Sequence, residues 1–120
     1  MPILREGSKF VTQATSLTTT SDTECYVVPS HFSSHIEHLM IANNDSSNRN
    51  YTLKFYEADT TTTHTLFTSH AVVGKGSESV FTIDKPLYIH EGDKIIVTAG
   101  TANVLTVVVA AEEFYDPART

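Results

Sequence analysis

What this sequence lacks excludes several classes of protein. Its single cysteine, Cys25, excludes a disulfide within the chain. No apolar run approaches the roughly 20 residues that a membrane helix needs. Eight Lys and Arg residues are scattered among 14 Asp and Glu residues, which gives a net charge of −6 and leaves no basic cluster to neutralise phosphates. We therefore expect no nucleic-acid partner and no membrane. Residues 1–7 also lack a hydrophobic signal core, which predicts synthesis in the cytoplasm.

Patterns for nucleophilic catalysis and phosphate binding are missing as well. The chain has no Gly-x-Ser-x-Gly elbow, and no predicted helix follows its one Gly-x-Gly, at residues 74–76. Three serines directly precede a histidine, but adjacent residues of a strand point to opposite faces, so the members of a pair cannot act together. These pairs are Ser30-His31, Ser34-His35 and Ser69-His70. We predict no catalytic residue, and hence a protein that is not an enzyme.

The strongest candidate for a metal site is the segment around His35. On a strand, His35 and Glu37 share one face and His38 takes the other. On a helix, His35 and His38 would converge, but no third ligand stands at a suitable spacing. Cys25 has no electropositive neighbour that would lower its pKa. We therefore predict structural histidines, a buried structural cysteine, and no metal or other cofactor.

The composition that remains is typical of a small β protein. Apolar residues make up 40% and charged residues 18% of the 120 residues, which indicates one globular domain. The chain contains 18 threonines, whose branched Cβ packs on a half-exposed strand while the hydroxyl faces water. Short apolar or alternating segments, separated by turn residues, predict strands over residues 8–17, 23–28, 33–43, 51–56, 64–73, 77–84, 87–89, 95–99 and 104–111.

Eight or nine strands at short intervals predict an all-β, antiparallel β-sandwich, either immunoglobulin-like or jelly-roll. Residues 33–43 are the one segment where a helix competes, because Ile36, Leu39 and Met40 would share a helical face. The clearest turn lies within residues 85–99, where Gly92 can adopt a positive φ and Asp93 can accept hydrogen bonds from backbone amides. There we expect a β-hairpin whose acidic tip is solvated.

The ends of the domain offer candidate contacts with other proteins. We divide the chain into an N-terminal arm (1–7), a β-sandwich domain (8–112) and a C-terminal tail (113–120). The arms can dock on neighbouring subunits or fold back on their own domain. The last strand is apolar on both faces, as in a strand that is central or is covered from outside the domain. The predicted partner-interface residues are Ile3, Leu4, Phe10, Val107, Val109, Phe114 and Tyr115.

Two segments carry a resemblance to a known family. Residues 19–29, Thr-Thr-Ser-Asp-Thr-Glu-Cys-Tyr-Val-Val-Pro, precede a strand that ends in Asn43-Asn44-Asp45. Residues 87–99 follow with Leu-Tyr-Ile-His-Glu-Gly-Asp-Lys-Ile-Ile-Val-Thr-Ala. Together they resemble small β-sandwich virion structural proteins of tailed bacteriophages, of the marine and cyanophage type. The chain departs from that pattern at Ser30, where a glycine often follows the proline.

The resemblance implies a virion component, made in the host cytoplasm, without catalytic activity. Its most direct expectation is a capsid decoration or cement protein that staples neighbouring capsid subunits. The implied partners are the major capsid protein or other virion proteins, together with copies of the same chain in a dimer or trimer. The alternatives are a head–tail connector or tail accessory protein, and a receptor- or carbohydrate-binding β-module of a tail fibre.

Overall fold

A computed structural model describes residues 8–82 and 84–115, which form nine β-strands and contain no helix that could cross a membrane. The predicted all-β fold is therefore confirmed. In chain order the strands are β1 (Ser8–Leu17), β2 (Thr23–Val27), β3 (Phe32–Asn43), β4 (Arg49–Glu57), β5 (Thr62–Val72), β6 (Ser77–Phe81), β7 (Leu87–Ile89), β8 (Lys94–Ala99) and β9 (Leu105–Tyr115).

The strands form two antiparallel sheets that pack face to face. Sheet A has the order β1-β9-β3-β6, with β7 also paired to β3, and sheet B has the order β2-β8-β4-β5. The first two strands lie in different sheets, and the first strand pairs with the last. An immunoglobulin fold instead places its first two strands in one sheet. The order is that of a jelly roll, which resolves the two sandwich types that the sequence left open.

Residues 33–43 form part of the central strand β3 and not a helix. Ile36 and Leu39 are both fully buried although they stand three residues apart. The reason is a β-bulge between Ile36 and His38, which adds one residue, Glu37, before the inward positions resume at Leu39 and Ile41. The helix-like spacing in the sequence is therefore the mark of a bulge in a strand.

The turn at residues 91–93 is a corner between the two sheets. The expected β-hairpin is wrong, because β7 pairs with β3 in sheet A whereas β8 lies in sheet B. Gly92 has a φ of +83°, as predicted. Asp93 accepts hydrogen bonds from the backbone N–H groups of His90 (2.8 Å) and Ala58 (2.9 Å). Asp93 is only 4% exposed, so this acid anchors the corner and does not solvate a tip.

The last strand is longer than predicted and buries the face that was assigned to a partner. It continues to Tyr115, so residues 113–115 are paired strand residues. Val107 and Val109 are 0% and 1% exposed inside the sandwich, so they are not available to a partner. The apolar residues on the outward face of β9 are the half-buried Val108 and Ala110, because alternation turns them to the other face.

The two ends of the described chain meet at one end of sheet A. Ser8, the first residue of β1, is paired with Phe114 near the end of β9. Chain segments on either side of the domain therefore leave it from the same place. The N-terminal arm, with Ile3 and Leu4, lies outside the described residues, as do residues 116–120.

Candidate functional site

One level of sheet A places four side chains in a row on its outward face. The register pairs Phe10 with Glu112, Glu112 with His35, and His35 with Tyr88, across strands β1, β9, β3 and β7. We call these four residues the outer row. Its two ends are large exposed aromatic rings, since Phe10 is 74% and Tyr88 is 67% exposed. Its middle is a histidine beside a carboxylate.

The bulge in β3 adds a second carboxylate to the middle of the outer row. Since the inserted residue Glu37 is half-buried beside His35, it reaches the same surface. One ligand atom each from His35, Glu37 and Glu112 lie within 4.8 Å of one another. We call these three residues the His–Glu cluster. A metal ligand set of this size was not expected, because the third member comes from a strand that is distant in sequence.

The contacts of the cluster fix some of its atoms and leave others without partners. The Ser8 hydroxyl donates to Glu112 Oε2 at 2.7 Å. The ring of His35 stacks on Tyr88, with 4.5 Å between centroids and 22° between planes. His35 Nε2 is buried, with no hydrogen-bond partner in residues 8–82 and 84–115. Within the same residues, no Lys or Arg forms an ion pair with Glu37 or Glu112.

An open depression of about 340 Å³ adjoins the cluster. Glu37, His38, Thr82 and Ala110 line it, so it shares one carboxylate with the His–Glu cluster. His38 Nε2 lies 2.9 Å from Ser79 Oγ, a distance suited to a nucleophile and its base. In the part of the chain that the structure describes, however, no carboxylate is bonded to His38. The pair therefore lacks the orienting group of a catalytic triad.

A buried polar network supports the cluster from inside the sandwich. Glu113 is 4% exposed. The Tyr26 hydroxyl donates to Glu113 Oε2 at 2.5 Å and lies 2.6 Å from Ser34 Oγ. Burial, together with the adjacent carboxylate, raises the pKa of Tyr26, so its hydroxyl keeps its proton. The network joins β2, β3 and β9 directly beneath Glu112 and His35 of the outer row.

The remaining histidine and cysteine candidates are separate from the cluster. Ser34 points inward to Tyr26 while His35 faces out, so this pair has no shared chemistry, as predicted. His70 Nε2 lies 2.8 Å from Glu78 in an exposed pair. Cys25 is fully buried, which confirms the predicted structural cysteine, and burial raises its pKa to about 11.

Sequence reasoning missed Glu112 as a member of the site. The notable signal was the His35–Glu37 spacing, which puts two ligand types on one strand face. Glu112 joins them only through the pairing of β9 with β3, and a local pattern carries no information on which strands become neighbours.

Comparisons with known proteins bear on the fold. No protein-family model matches this chain, and no curated protein matches it. Its fold is similar to that of a chain in the acid-stable capsid structure of Helicobacter pylori bacteriophage KHP30, with a TM-score of 0.53 and 10% identity over 90% of this chain and 87% of that one. It is also similar to a chain of Bacillus endospore appendages, described as a novel family of disulfide-linked pili. There the TM-score is 0.52 at 14% identity, over 91% of this chain and 86% of the other. At such identities the likeness shows a shared fold.

Proposed function

We propose that this chain is a structural protein of a bacteriophage virion, and that it acts as a capsid decoration protein that binds neighbouring capsid subunits together. The observation that carries the proposal is the likeness of nearly the whole domain to a chain of a phage capsid. A second neighbour, from a pilus, is likewise part of an assembly of subunits. The family resemblance of residues 19–29 and 87–99 supports the same class of protein.

The docking surface in this proposal is the end of sheet A that carries exposed aromatic side chains. Phe10 and Tyr88 close the outer row, and Phe114 and Tyr115 are 39% and 57% exposed close by on β9. Aromatic rings supply large contact areas in protein interfaces and are enriched there. The segments before Ser8 and after Tyr115 leave the domain from this same end, so they can add further contacts with the same neighbour.

A disulfide-linked filament is a poorer fit to this chain. The chain has one cysteine, and that cysteine is fully buried with a pKa raised to about 11. A thiol in such a place does not reach a neighbouring subunit and forms little thiolate at neutral pH. We therefore favour a capsid shell, with the major capsid protein and further copies of this chain as partners, over a pilus.

The test is to reconstitute phage particles that lack this protein with purified protein. The wild type is expected to restore resistance to heat and to osmotic shock. The double variant Phe10→Ser and Tyr88→Ser should bind particles at least about tenfold more weakly, because hot-spot aromatics of an interface commonly contribute 2 kcal/mol or more. Leu66→Ser is the matched control, since Leu66 is an exposed apolar residue of β5 in the other sheet, 42% exposed.

Two outcomes would contradict the proposal. Particles lacking the protein that are as stable as complete ones would argue against cement and for a tail accessory or connector role. Equal loss of binding in Leu66→Ser and in the double variant would remove the outer row from the docking surface.

A further inference from the structure

The His–Glu cluster has the composition of a metal site and none of the usual partners of a structural ion pair. An exposed His–Glu pair, such as His70 with Glu78, satisfies both groups with one hydrogen bond. Glu37 and Glu112 instead stand beside each other with no Lys or Arg ion pair among the described residues. Two carboxylates held this close repel each other unless a cation or proton lies between them.

A buried imidazole nitrogen without a partner is the second, independent observation. Nε2 of His35 is shielded from water and has no hydrogen-bond partner among residues 8–82 and 84–115. A buried polar atom normally has a partner, and each exception calls for an explanation, of which the binding of an ion is one. A neutral imidazole that lacks a donor for one of its nitrogens offers a lone pair to a metal ion.

We propose that His35, Glu37 and Glu112 bind one divalent transition-metal ion of the zinc type on the outer face of sheet A. One imidazole and two carboxylates supply the nitrogen and oxygen ligands that zinc accepts. Calcium and magnesium prefer sites made entirely of oxygen. Three protein ligands leave a coordination position for water or for a group of another molecule.

The three ligand atoms must move closer together to bind a zinc ion. Ligands about 2.0–2.1 Å from a tetrahedral zinc ion lie about 3.3 Å from one another. The three ligand atoms already lie within 4.8 Å. Glutamate side chains have three rotatable bonds, and Glu37 makes no hydrogen bond that would hold it in place within the described residues. The ring of His35 is held against Tyr88, so the carboxylates move toward a fixed imidazole.

Metal binding would join the bulge of β3 to β9 across the outer row. Glu37 is the inserted residue of the bulge, and Glu112 is the cross-strand partner of His35. A bound ion therefore spans the irregular part of the pairing between the two central strands of sheet A. The inference goes beyond the proposed virion role and does not depend on it, because it concerns the isolated domain.

The test is calorimetric titration of zinc chloride into untagged, metal-free protein, with thermal unfolding followed in parallel. We expect one zinc ion per chain, a melting temperature that rises with zinc but not with equimolar magnesium, and shifts of the His35 imidazole NMR signals. Glu37→Gln and Glu112→Gln should each weaken zinc binding at least about tenfold, as losses in metal coordination commonly do. His38→Gln is the matched control on the same strand and should bind like the wild type.

Several results would overturn the proposal. They are the absence of zinc binding by the wild type, wild-type affinity in Glu37→Gln, or equal weakening in His38→Gln. Should Glu112→Gln misfold because the hydrogen bond from Ser8 then ends on an uncharged acceptor and is weaker, the result for Glu37→Gln decides alone, since the Glu37 carboxylate has no hydrogen bond within the described residues. A second control, His70→Gln, reports on zinc held by the exposed pair of β5, and loss of binding there instead would also refute the site.

Discussion

Strands β3 and β5 are nearly equal in length and carry two histidines each, yet they have opposite environments. β3 lies in the middle of sheet A, and five of its 12 residues are buried. β5 lies at the edge of sheet B, and only Val72 of its 11 residues is buried. Length and histidine content are thus alike, although β3 is richer in aliphatic residues, and the two strands also differ in what lies across from them.

Only short strands of sheet A lie opposite β5. The edge of sheet A near β5 is formed by β6, of five residues, and β7, of three. Only the end of β5 near His70 reaches that edge, where Glu78 of β6 accepts from His70 and from Tyr51. The rest of β5 has one neighbour, β4, and solvent on both faces. The histidines of β5 each meet one half-buried acid, whereas the half-buried His35 of β3 meets two carboxylates.

The largest effect expected from this contrast is in core packing. Leu39→Ala in β3 should lower the free energy of unfolding by about 2–5 kcal/mol, because it opens a cavity in a fully buried site. Leu66→Ala in β5 should change it by about 0.5 kcal/mol or less, because Leu66 is already exposed. Urea denaturation of both variants measures the difference. Similar losses in the two would mean that β5 is covered in solution.

A smaller effect is expected from the polar network inside sheet A. Tyr26→Phe removes the hydroxyl that donates to Glu113 and bonds to Ser34, and both partners are buried. We expect a loss of about 1–3 kcal/mol in the free energy of unfolding, since buried groups are left unsatisfied. Tyr88→Phe is the control, because Tyr88 is exposed. If Tyr26→Phe were as stable as this control, the network would contribute nothing to stability.

Strand β2, the buried edge of sheet B, should make the free energy of unfolding depend on pH in the alkaline range. The Cys25 thiol in β2 has its pKa raised by burial from 9.0 to about 11. Between these values the unfolded chain has lost the thiol proton while the folded chain keeps it, so stability falls as pH rises. The expected loss is about 1.3 kcal/mol between pH 8 and pH 10.

Denaturation of the wild type and of Cys25→Ala at several pH values between 8 and 10 measures this loss. The free energy of unfolding of Cys25→Ala should fall less steeply with pH than that of the wild type. The cavity left by the smaller side chain lowers its stability at every pH. Parallel slopes for the two proteins would show that Cys25 is exposed. The tyrosines with raised pKa contribute mainly above pH 10, since the ordinary value of a tyrosine pKa is 10.0.

The smallest effect is expected at the exposed pair of β5. A double-mutant cycle of His70→Gln and Glu78→Gln should give a coupling energy of about 0.2–1 kcal/mol, as is usual for solvent-exposed pairs. The Tyr51 hydroxyl also donates to Glu78. A small loss of stability in His70→Gln would indicate that this second hydrogen bond holds the Glu78 side chain in place without His70. A coupling energy well above 1 kcal/mol would place this pair in a drier environment than its exposure indicates.

Much of the strand content could be predicted from the sequence because alternation and turn chemistry are local. Gly92 and Asp93 have the conformation and the amide contacts that their residue types predict. The same local signals do not say which strands become neighbours. Local signals therefore predict a hairpin at Gly92, although the strands on its two sides belong to different sheets.

The candidate site was less predictable, for the same reason. The bulge at Glu37 shifts the alternation by one residue, and a pattern of period two cannot show where such a shift occurs. The apolar character of both faces of β9 assigns Val107 and Val109 to a partner, but the position of sheet B decides which face is inside, and it buries both residues. The proposed ligand set needs the pairing of β3 with β9, which joins residues from the middle and the end of the chain.

The pairing of Ser8 with Phe114 also has a mechanical consequence. Strands β1 and β9 are antiparallel neighbours, and the start of β1 lies beside the end of β9. A force that pulls Ser8 and Phe114 apart would therefore break the hydrogen bonds between the two strands one after another. A force applied along the strands, from this end of sheet A toward the loop at residues 44–48, would load many hydrogen bonds of β3 and β9 at once. Such a domain resists tension well only under two conditions. One neighbour must hold both chain ends, and the pulling force must act on the loop at residues 44–48 or on the outer face of a sheet.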